Sequence, residues 1–261
     1  MDSVVITITS GKGGVGKTTT TANIGTALAL LGKKVVIADA DIGLRNLDIV
    51  LGLENRIVYD SVDFIEGRCK LRQALIRDKR AGELYLLPAA QTRDKTAIKP
   101  QQMVDMINEL RDEFHYILID SPAGIEQGFQ TAIAPADRVI VIINPEVSSV
   151  RDADRVIGLV EAHQKGSAML IVNRIDSARV KKKDMLSVED ITEILSSQVI
   201  GIVPEDEEIL SSTNRGQPVV LNSKGSAAQA YRDIARRIIG ESVPLTMPST
   251  GLFWQKLFGR A

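Results

Sequence analysis

Residues Gly11–Thr18 read GKGGVGKT and fill every fixed position of G-x-x-x-x-G-K-[ST]. Gly11, Gly13, Gly14 and Gly16 let backbone N–H groups turn inward around an anion, with Val15 between them. A helix opening behind the loop would add the positive end of its dipole. Lys17 is placed to reach the β- and γ-phosphates of a nucleotide, and the Thr18 hydroxyl to bind Mg²⁺. Thr19 completes the nucleotide-binding stretch. Lys12 is a second lysine that an ordinary phosphate loop does not need.

Carboxylates follow at the ends of two apolar runs. Val35–Asp41 is VVIADAD, which carries Asp39 and Asp41 onto one side if the strand continues. YILID ends at Asp120, and Ser121-Pro122-Ala123-Gly124 turns the chain after it. Ligands of open α/β sheets bind at the carboxyl ends of strands. A strand-end aspartate also serves as a helix or turn cap. Three of them beside a phosphate loop make the cap reading a poorer account of all three.

The elements that must position these groups are legible as alternating segments. Strands are expected at Val4–Thr9, Val35–Asp39, Leu84–Leu87, Tyr116–Asp120, Val139–Asn144, Met169–Asn173 and Val199–Val203. Helices are expected at Thr18–Leu31, Gln101–Glu113, Val150–His163, Val188–Leu195 and Ala227–Ile239, with Gly32 as a C-cap of the first. Val- and Ile-rich runs without alternation suit strands buried on both faces. The expected fold is α/β: a doubly wound, mostly parallel sheet flanked by helices on both faces, of the P-loop NTPase class. No internal repeat and no second core are apparent. The domain spans residues 1–240, a Pro-containing linker 241–250, and a short tail 251–261.

Composition excludes several classes. The 261 residues are 44% hydrophobic, enough for a sizeable core. Lys+Arg is 32 and Asp+Glu is 33, against the strongly basic balance of chains held to nucleic acid by bulk charge. No apolar run reaches the ~18 residues of a membrane span. MDSVVITITS reads as a strand and not as a signal peptide, which points to the cytoplasm. Cys69 is the single cysteine, so a disulfide within the chain is impossible and a cysteine-held metal cluster nearly so.

GKGGVGKT resembles the deviant Walker A motif of the ParA/MinD family, and Asp120 resembles a Walker B aspartate. DADIGLRNLD (39–48) is similar to switch I of the MinD cell-division ATPases, and IDSPAGIE (119–126) to their switch II. AQTRDK (90–95) and NPEVSSVRDADR (144–155) also look like MinD. The resemblance implies an ATPase working as a nucleotide-sandwich homodimer with ATP and Mg²⁺. Lys12 would then cross to the partner subunit's phosphates, in the manner of an arginine finger supplied in trans. Asp41 would position and polarise the water, Lys17 would serve catalysis as well as binding, and Thr18, Asp39 and Asp120 would hold Mg²⁺. Asn173 and Pro204, Glu205 and Asp206 would flank adenine; by residue type alone they fit equally a turn and a dipole-matched helix start. The partners implied are the division inhibitor MinC, recruited to the membrane, MinE as a stimulator, and the inner face of the cell membrane. No specific nucleic acid is expected. Val150–Arg155, with Arg151, Asp152 and Asp154 exposed, would form part of the MinC surface.

The tail GLFWQKLFGRA holds the only tryptophan. On a helix, Phe253, Trp254, Leu257 and Phe258 share one face and Gln255, Lys256 and Gly259 the other, with Leu252 off the pattern. A basic, aromatic, amphipathic segment reads as interfacial, and this one resembles the membrane-targeting sequence of MinD. Burying each large apolar side chain contributes about 1.5–3 kcal/mol, and ordering each residue costs about 1–2 kcal/mol. One tail is therefore marginal, whereas two on a dimer gain avidity of order 10²–10⁴. The alternative is docking of the tail on its own domain or on a protein. RVKKK (179–183) reads as a solvated face, with a second membrane contact as the alternative. His115 and His163 have no partnered constellation and read as structural or surface residues. A ParA-type DNA-partitioning or flagellar-placement ATPase is the competing reading; a nitrogenase-reductase type lacks its cysteines.

Overall fold

The computed structural model describes residues 3–94 and 96–247. In chain order the elements are β1 (Val4–Thr9), α1 (Lys17–Leu30), β2 (Val35–Asp39), α2 (Leu47–Leu51), α3 (Ser61–Ile65) and α4 (Leu71–Ala74). There follow β3 (Ile76–Asp78), β4 (Leu84–Leu87), α5 (Pro100–Arg111), β5 (Tyr116–Asp120), α6 (Gln127–Ile133), β6 (Arg138–Ile143) and α7 (Val147–Ala162). The last are β7 (Met169–Ile175), α8 (Ser177–Lys181), α9 (Val188–Leu195), β8 (Gln198–Pro204), α10 (Glu207–Asn214) and α11 (Ser226–Ile238).

The eight strands form one sheet in the order β3-β4-β2-β5-β1-β6-β7-β8. All neighbours are parallel except β3, which lies antiparallel on β4 at the edge. The two sides of each strand face different helix layers. Ile6, Ile8, Ile37 and Leu118 pack in the same core as Ile24 and Leu28 of α1 and Tyr231 and Ile234 of α11. Val5, Val36, Ile117 and Ile119 pack with Met103, Met106 and Ile107 of α5. Val139, Val141, Leu170 and Val172 pack with Val156 of α7 and Ile191 of α9. Helices on both faces explain why the strands read as uninterrupted apolar runs.

The seven expected strands and five long helices are present. Gly32 takes φ +76° after α1, and the bonds Gly32 N–H to Ala29 O (3.0 Å) and Lys33 N–H to Leu28 O (3.2 Å) complete a Schellman cap. The sequence reading missed β3, three residues long, and α2, α3, α4, α6, α8 and α10, of eight residues or fewer. Most of these pieces span two turns or fewer, too short for a period to emerge. α7 begins at Val147, three residues before the expected Val150, and β7 continues past Asn173 through an irregular register to Ile175.

α11 ends at Ile238, and the chain then turns back along it. Residues 241–247 have no regular structure. The Arg237 guanidinium donates to Val243 O (2.9 Å), Pro244 O (2.6 Å) and Ile200 O of β8 (3.0 Å). Pro248 and the remainder of the linker, with the whole tail including Phe253, Trp254, Lys256, Leu257 and Phe258, lie outside the described residues. Among the described residues no helix is long and apolar enough to cross a membrane.

Candidate nucleotide site

The phosphate loop joins the central strand β1 to α1. Gly14 (φ +78°) and Gly16 (φ +93°) adopt the left-handed backbone that favours glycine. A Cβ on Gly16 would stand 2.4 Å from Asn173 Nδ2, and one on Gly11 would stand 2.6 Å from Asp152 O. The loop is thus wedged between β7 and α7. Gly13 and Gly14 by contrast face open space, leaving their backbone accessible to an anion.

Behind the loop lies a buried charged cluster. Lys17, 8% exposed, points its Nζ at Asp120 Oδ1 at 3.4 Å. Thr21 Oγ1 lies 3.0 Å from that carboxylate oxygen and 3.0 Å from Lys17 O. Asp39 is the direct register partner of Asp120 across the β2–β5 pair. It accepts from Asp41 N–H (2.9 Å) and Leu47 N–H (3.3 Å). Burial, and then the negative charge of Asp120, push the Asp39 carboxyl up to about 8. Both effects favour the protonated acid. Two hard-oxygen carboxylates with Thr18 at the start of α1 fit Mg²⁺, which keeps waters and phosphate oxygens in its shell. Among the described residues no group of three or more His, Cys, Asp or Glu forms a metal cage, and such a nucleotide-held ion needs none.

β2 stops at Asp39, so Asp41 does not continue the strand alternation. It is half-buried, and its carbonyl accepts from Leu44 N–H and Arg45 N–H in the turn that opens the next segment. Lys12 stands apart from the buried cluster. It is 49% exposed, with Nζ 3.9 Å from Glu146 Oε2 at the start of α7, and an exposed pair of that length contributes little.

Beside the loop is a cavity of about 310 Å³. Gly16, Thr19, Asn173, Pro204, Glu205 and Asp206 all line it, which brings together residues far apart in sequence. Asn173 Nδ2 donates to Val15 O at 2.7 Å, which fixes the amide. Its Oδ1 is buried and among the described residues has no hydrogen-bond partner, an acceptor suited to an amine donor on a ligand. Asp206 also caps α10 through Glu208 N–H (2.9 Å), so the cavity wall and the helix start are one feature.

Sequence reasoning missed several members of this region. Thr21, which braces Asp120, lies one helical turn after Lys17 and was detectable from that spacing. Arg174 and Tyr231 also line the cavity. Tyr231 approaches Thr20 Oγ1 at 3.3 Å, and burial pushes its phenol up to about 12. The two residues are separated by 211 positions, so no local signal marks the pair. The bland readings hold elsewhere: His115 Nδ1 accepts from Lys34 N–H at 2.8 Å, and His163 Nδ1 lies 2.8 Å from Leu159 O. Cys69 is free and half-buried. Of the α7 residues expected at the surface, Arg151 and Asp154 are exposed and Asp152 is half-buried.

Residues 6–219 match the family described as the CobQ/CobB/MinD/ParA nucleotide binding domain. The chain is 57% identical over 242 residues to the septum site-determining protein MinD of Bacillus subtilis, covering 92% of this chain and 90% of that one. It superposes on MinD in the MinC:MinD cell division protein complex of Aquifex aeolicus with a TM-score of 0.87 and 55% identity, covering 94% and 99%. MinD of Pyrococcus horikoshii, solved with Mg-ADP, superposes with a TM-score of 0.81 and 30% identity, covering 90% and 96%. A phosphate loop backed by a buried Lys–Asp–Thr cluster, at the carboxyl edge of a parallel sheet, thus sits in a chain that belongs to the MinD family of septum site-determining nucleotide-binding proteins.

Proposed function

We propose that this protein is an ATP-dependent, dimerising ATPase that cycles on the membrane and places the division site by recruiting MinC. The observation that carries the reading is the juxtaposition of the Lys17–Asp120–Thr21 cluster with the cavity holding the unpaired Asn173 Oδ1. One end meets phosphates and the other meets a base.

The chain's residues divide the work. Backbone N–H groups of Gly11, Gly13, Gly14, Val15 and Gly16 cradle the phosphates, and Lys17 leaves Asp120 to meet the β- and γ-oxygens. Asn173 Oδ1 accepts from the adenine amine between Pro204, Glu205 and Asp206. Thr18, Asp39 and Asp120 hold Mg²⁺, which when bound neutralises charge on the phosphate oxygens. Lys12 gives up its weak contact with Glu146 and reaches the partner subunit's phosphates. Asp41 orients the water and stabilises its developing positive charge. MinE acts on the complex as the stimulator of hydrolysis.

The tail residues Phe253, Trp254, Lys256, Leu257 and Phe258 act as the reversible anchor on anionic lipid. The solved MinC:MinD complex of a relative 55% identical supports MinC as the partner. The near-neutral balance, 32 basic against 33 acidic residues, speaks against a DNA-partitioning role.

Sedimentation with phosphatidylglycerol vesicles tests this. Binding is expected with Mg-ATP, not with Mg-ADP, and not for a chain ending at Pro248. Equal binding in all three states, or none in any, would overturn the membrane cycle.

A further inference from the structure

The stretch Arg179-Val180-Lys181-Lys182-Lys183 places four cations in five residues, across α8 and the turn after it. All four charged side chains are exposed. Among the described residues none of them forms an ion pair. A cleft of about 520 Å³ beside them also carries Glu146, Asp184 and Asp190. Two of these carboxylates are engaged: Glu146 faces Lys12, and Asp190 Oδ2 accepts from Ser187. Asp176, just before α8, caps that helix by accepting from Ala178 N–H. Asp184 is the third carboxylate of the cleft. The four exposed cations of 179–183 outnumber the three carboxylates of the cleft, on a chain that is close to neutral overall.

Its position in the fold gives the charge a partner. β7 ends at Ile175, whose register partner is Pro204 at the end of β8. α8 starts two residues later, at the carboxyl end of the sheet. The strap after α11 returns to the same end. Arg237 pins it at Val243 and Pro244, and Leu245, Thr246 and Met247 then line a cleft together with Ile202, Pro204 and Ser226. The chain therefore reaches Met247 beside Pro204, at the end of the sheet from which the basic stretch projects. The aromatic tail begins four residues further on.

We propose that Arg179, Lys181, Lys182 and Lys183 form a second contact with the membrane, an electrostatic one with anionic lipid headgroups, beside the apolar tail. This rests on the membrane reading above and deepens it. A marginal amphipathic anchor gains most from a neighbouring polybasic face, because each Lys or Arg near an anionic surface strengthens binding about fivefold. The tail would supply the apolar insertion and this face the selectivity for anionic lipid.

The test compares the whole chain with the variant Arg179→Gln/Lys181→Gln/Lys182→Gln, with Mg-ATP, on phosphatidylcholine vesicles containing increasing phosphatidylglycerol. Hydrolysis without vesicles reports that the variant folds and should be unchanged. The variant should bind roughly 10- to 100-fold more weakly at low salt, with a flatter dependence on phosphatidylglycerol and a difference that closes at high salt. Equal affinity and equal salt slope for the two proteins would overturn the proposal while leaving the tail reading intact. If a chain ending at Pro248 still binds and the triple variant does not, the tail reading falls and the basic face stands. No binding by the unmodified chain overturns both. Loss of heparin or DNA binding with vesicle binding unchanged assigns the face to another polyanion and also overturns it.

Discussion

Asp39 is the residue on which the nucleotide-free site is most finely balanced. Its carboxyl is held up at about 8 by burial and by Asp120. The unfolded chain releases that proton near 4, so from there up to about 8 the folded state binds more protons than the unfolded one. The contribution of Asp39 to stability is complete below the unfolded value and is lost as pH rises through about 8. Thermal melts of the nucleotide-free protein should show this loss between about pH 5 and 8, and Asp39→Asn should flatten it. Mg-nucleotide should reverse the trend, because a bound cation favours the charged carboxylate. Lys17→Ala tests the other partner. It removes the cation that meets Asp120 and that is proposed to meet the phosphates, so nucleotide affinity measured by calorimetry should fall by at least 100-fold.

At the scale of elements, the site depends on how closely α1 lies on the sheet. Ala22, Ile24, Ala27 and Leu28 bury the apolar side of α1, and two of its buried polar side chains bond back to the helix itself. Thr26 Oγ1 donates to Ala22 O (2.7 Å) and Asn23 Nδ2 to Thr19 O (2.8 Å). Gly25 sets the separation: a Cβ there would stand 2.4 Å from Ile37 Cδ1 and 2.8 Å from its Cγ1 on β2. Gly25→Ala should favour the isolated helix yet destabilise the protein by about 1–3 kcal/mol in urea unfolding, because overpacking a dense core outweighs propensity. A stabilised Gly25→Ala would show that α1 can lift off the sheet freely. The same approach carries Lys17 toward Asp120, so the variant should also weaken nucleotide binding.

For the whole molecule, the strap over residues 241–247 connects the ATPase fold to whatever follows it. Three carbonyl oxygens converge on the Arg237 guanidinium, which ties β8, α11 and the strap together. Arg237→Ala should speed proteolysis within 241–247 several-fold by limited trypsin or chymotrypsin digestion. It should cost the global fold only about 1–2 kcal/mol, since the strap adds little to the buried core. Unchanged digestion would mean that the strap is held by its Leu245 and Met247 contacts alone.

The sequence by itself determined the layered architecture and supplied the residues of the proposed chemistry. The spacing of GKGGVGKT, the strand-end aspartates Asp39 and Asp120, and the unbroken Val/Ile runs are local patterns. Phosphate cradling, cation binding and two-faced burial require them within short stretches of chain. Asn173 and Pro204–Asp206 came from family likeness, and their residue types alone were equally good as turn and helix-start residues. Only the tertiary structure decided that these residues share one cavity with Thr19 and Tyr231, that Thr21 braces Asp120, and that Lys12 faces Glu146. It also decided that α8 follows β7 at the end of the sheet where Met247 of the strap lines a cleft with Pro204. Those are contacts between strands that are neighbours in space and distant in sequence, set by the order β5-β1-β6-β7-β8 and by side-chain packing. No local period encodes which strand lies beside which, so that information emerges only when the whole sheet closes its two cores.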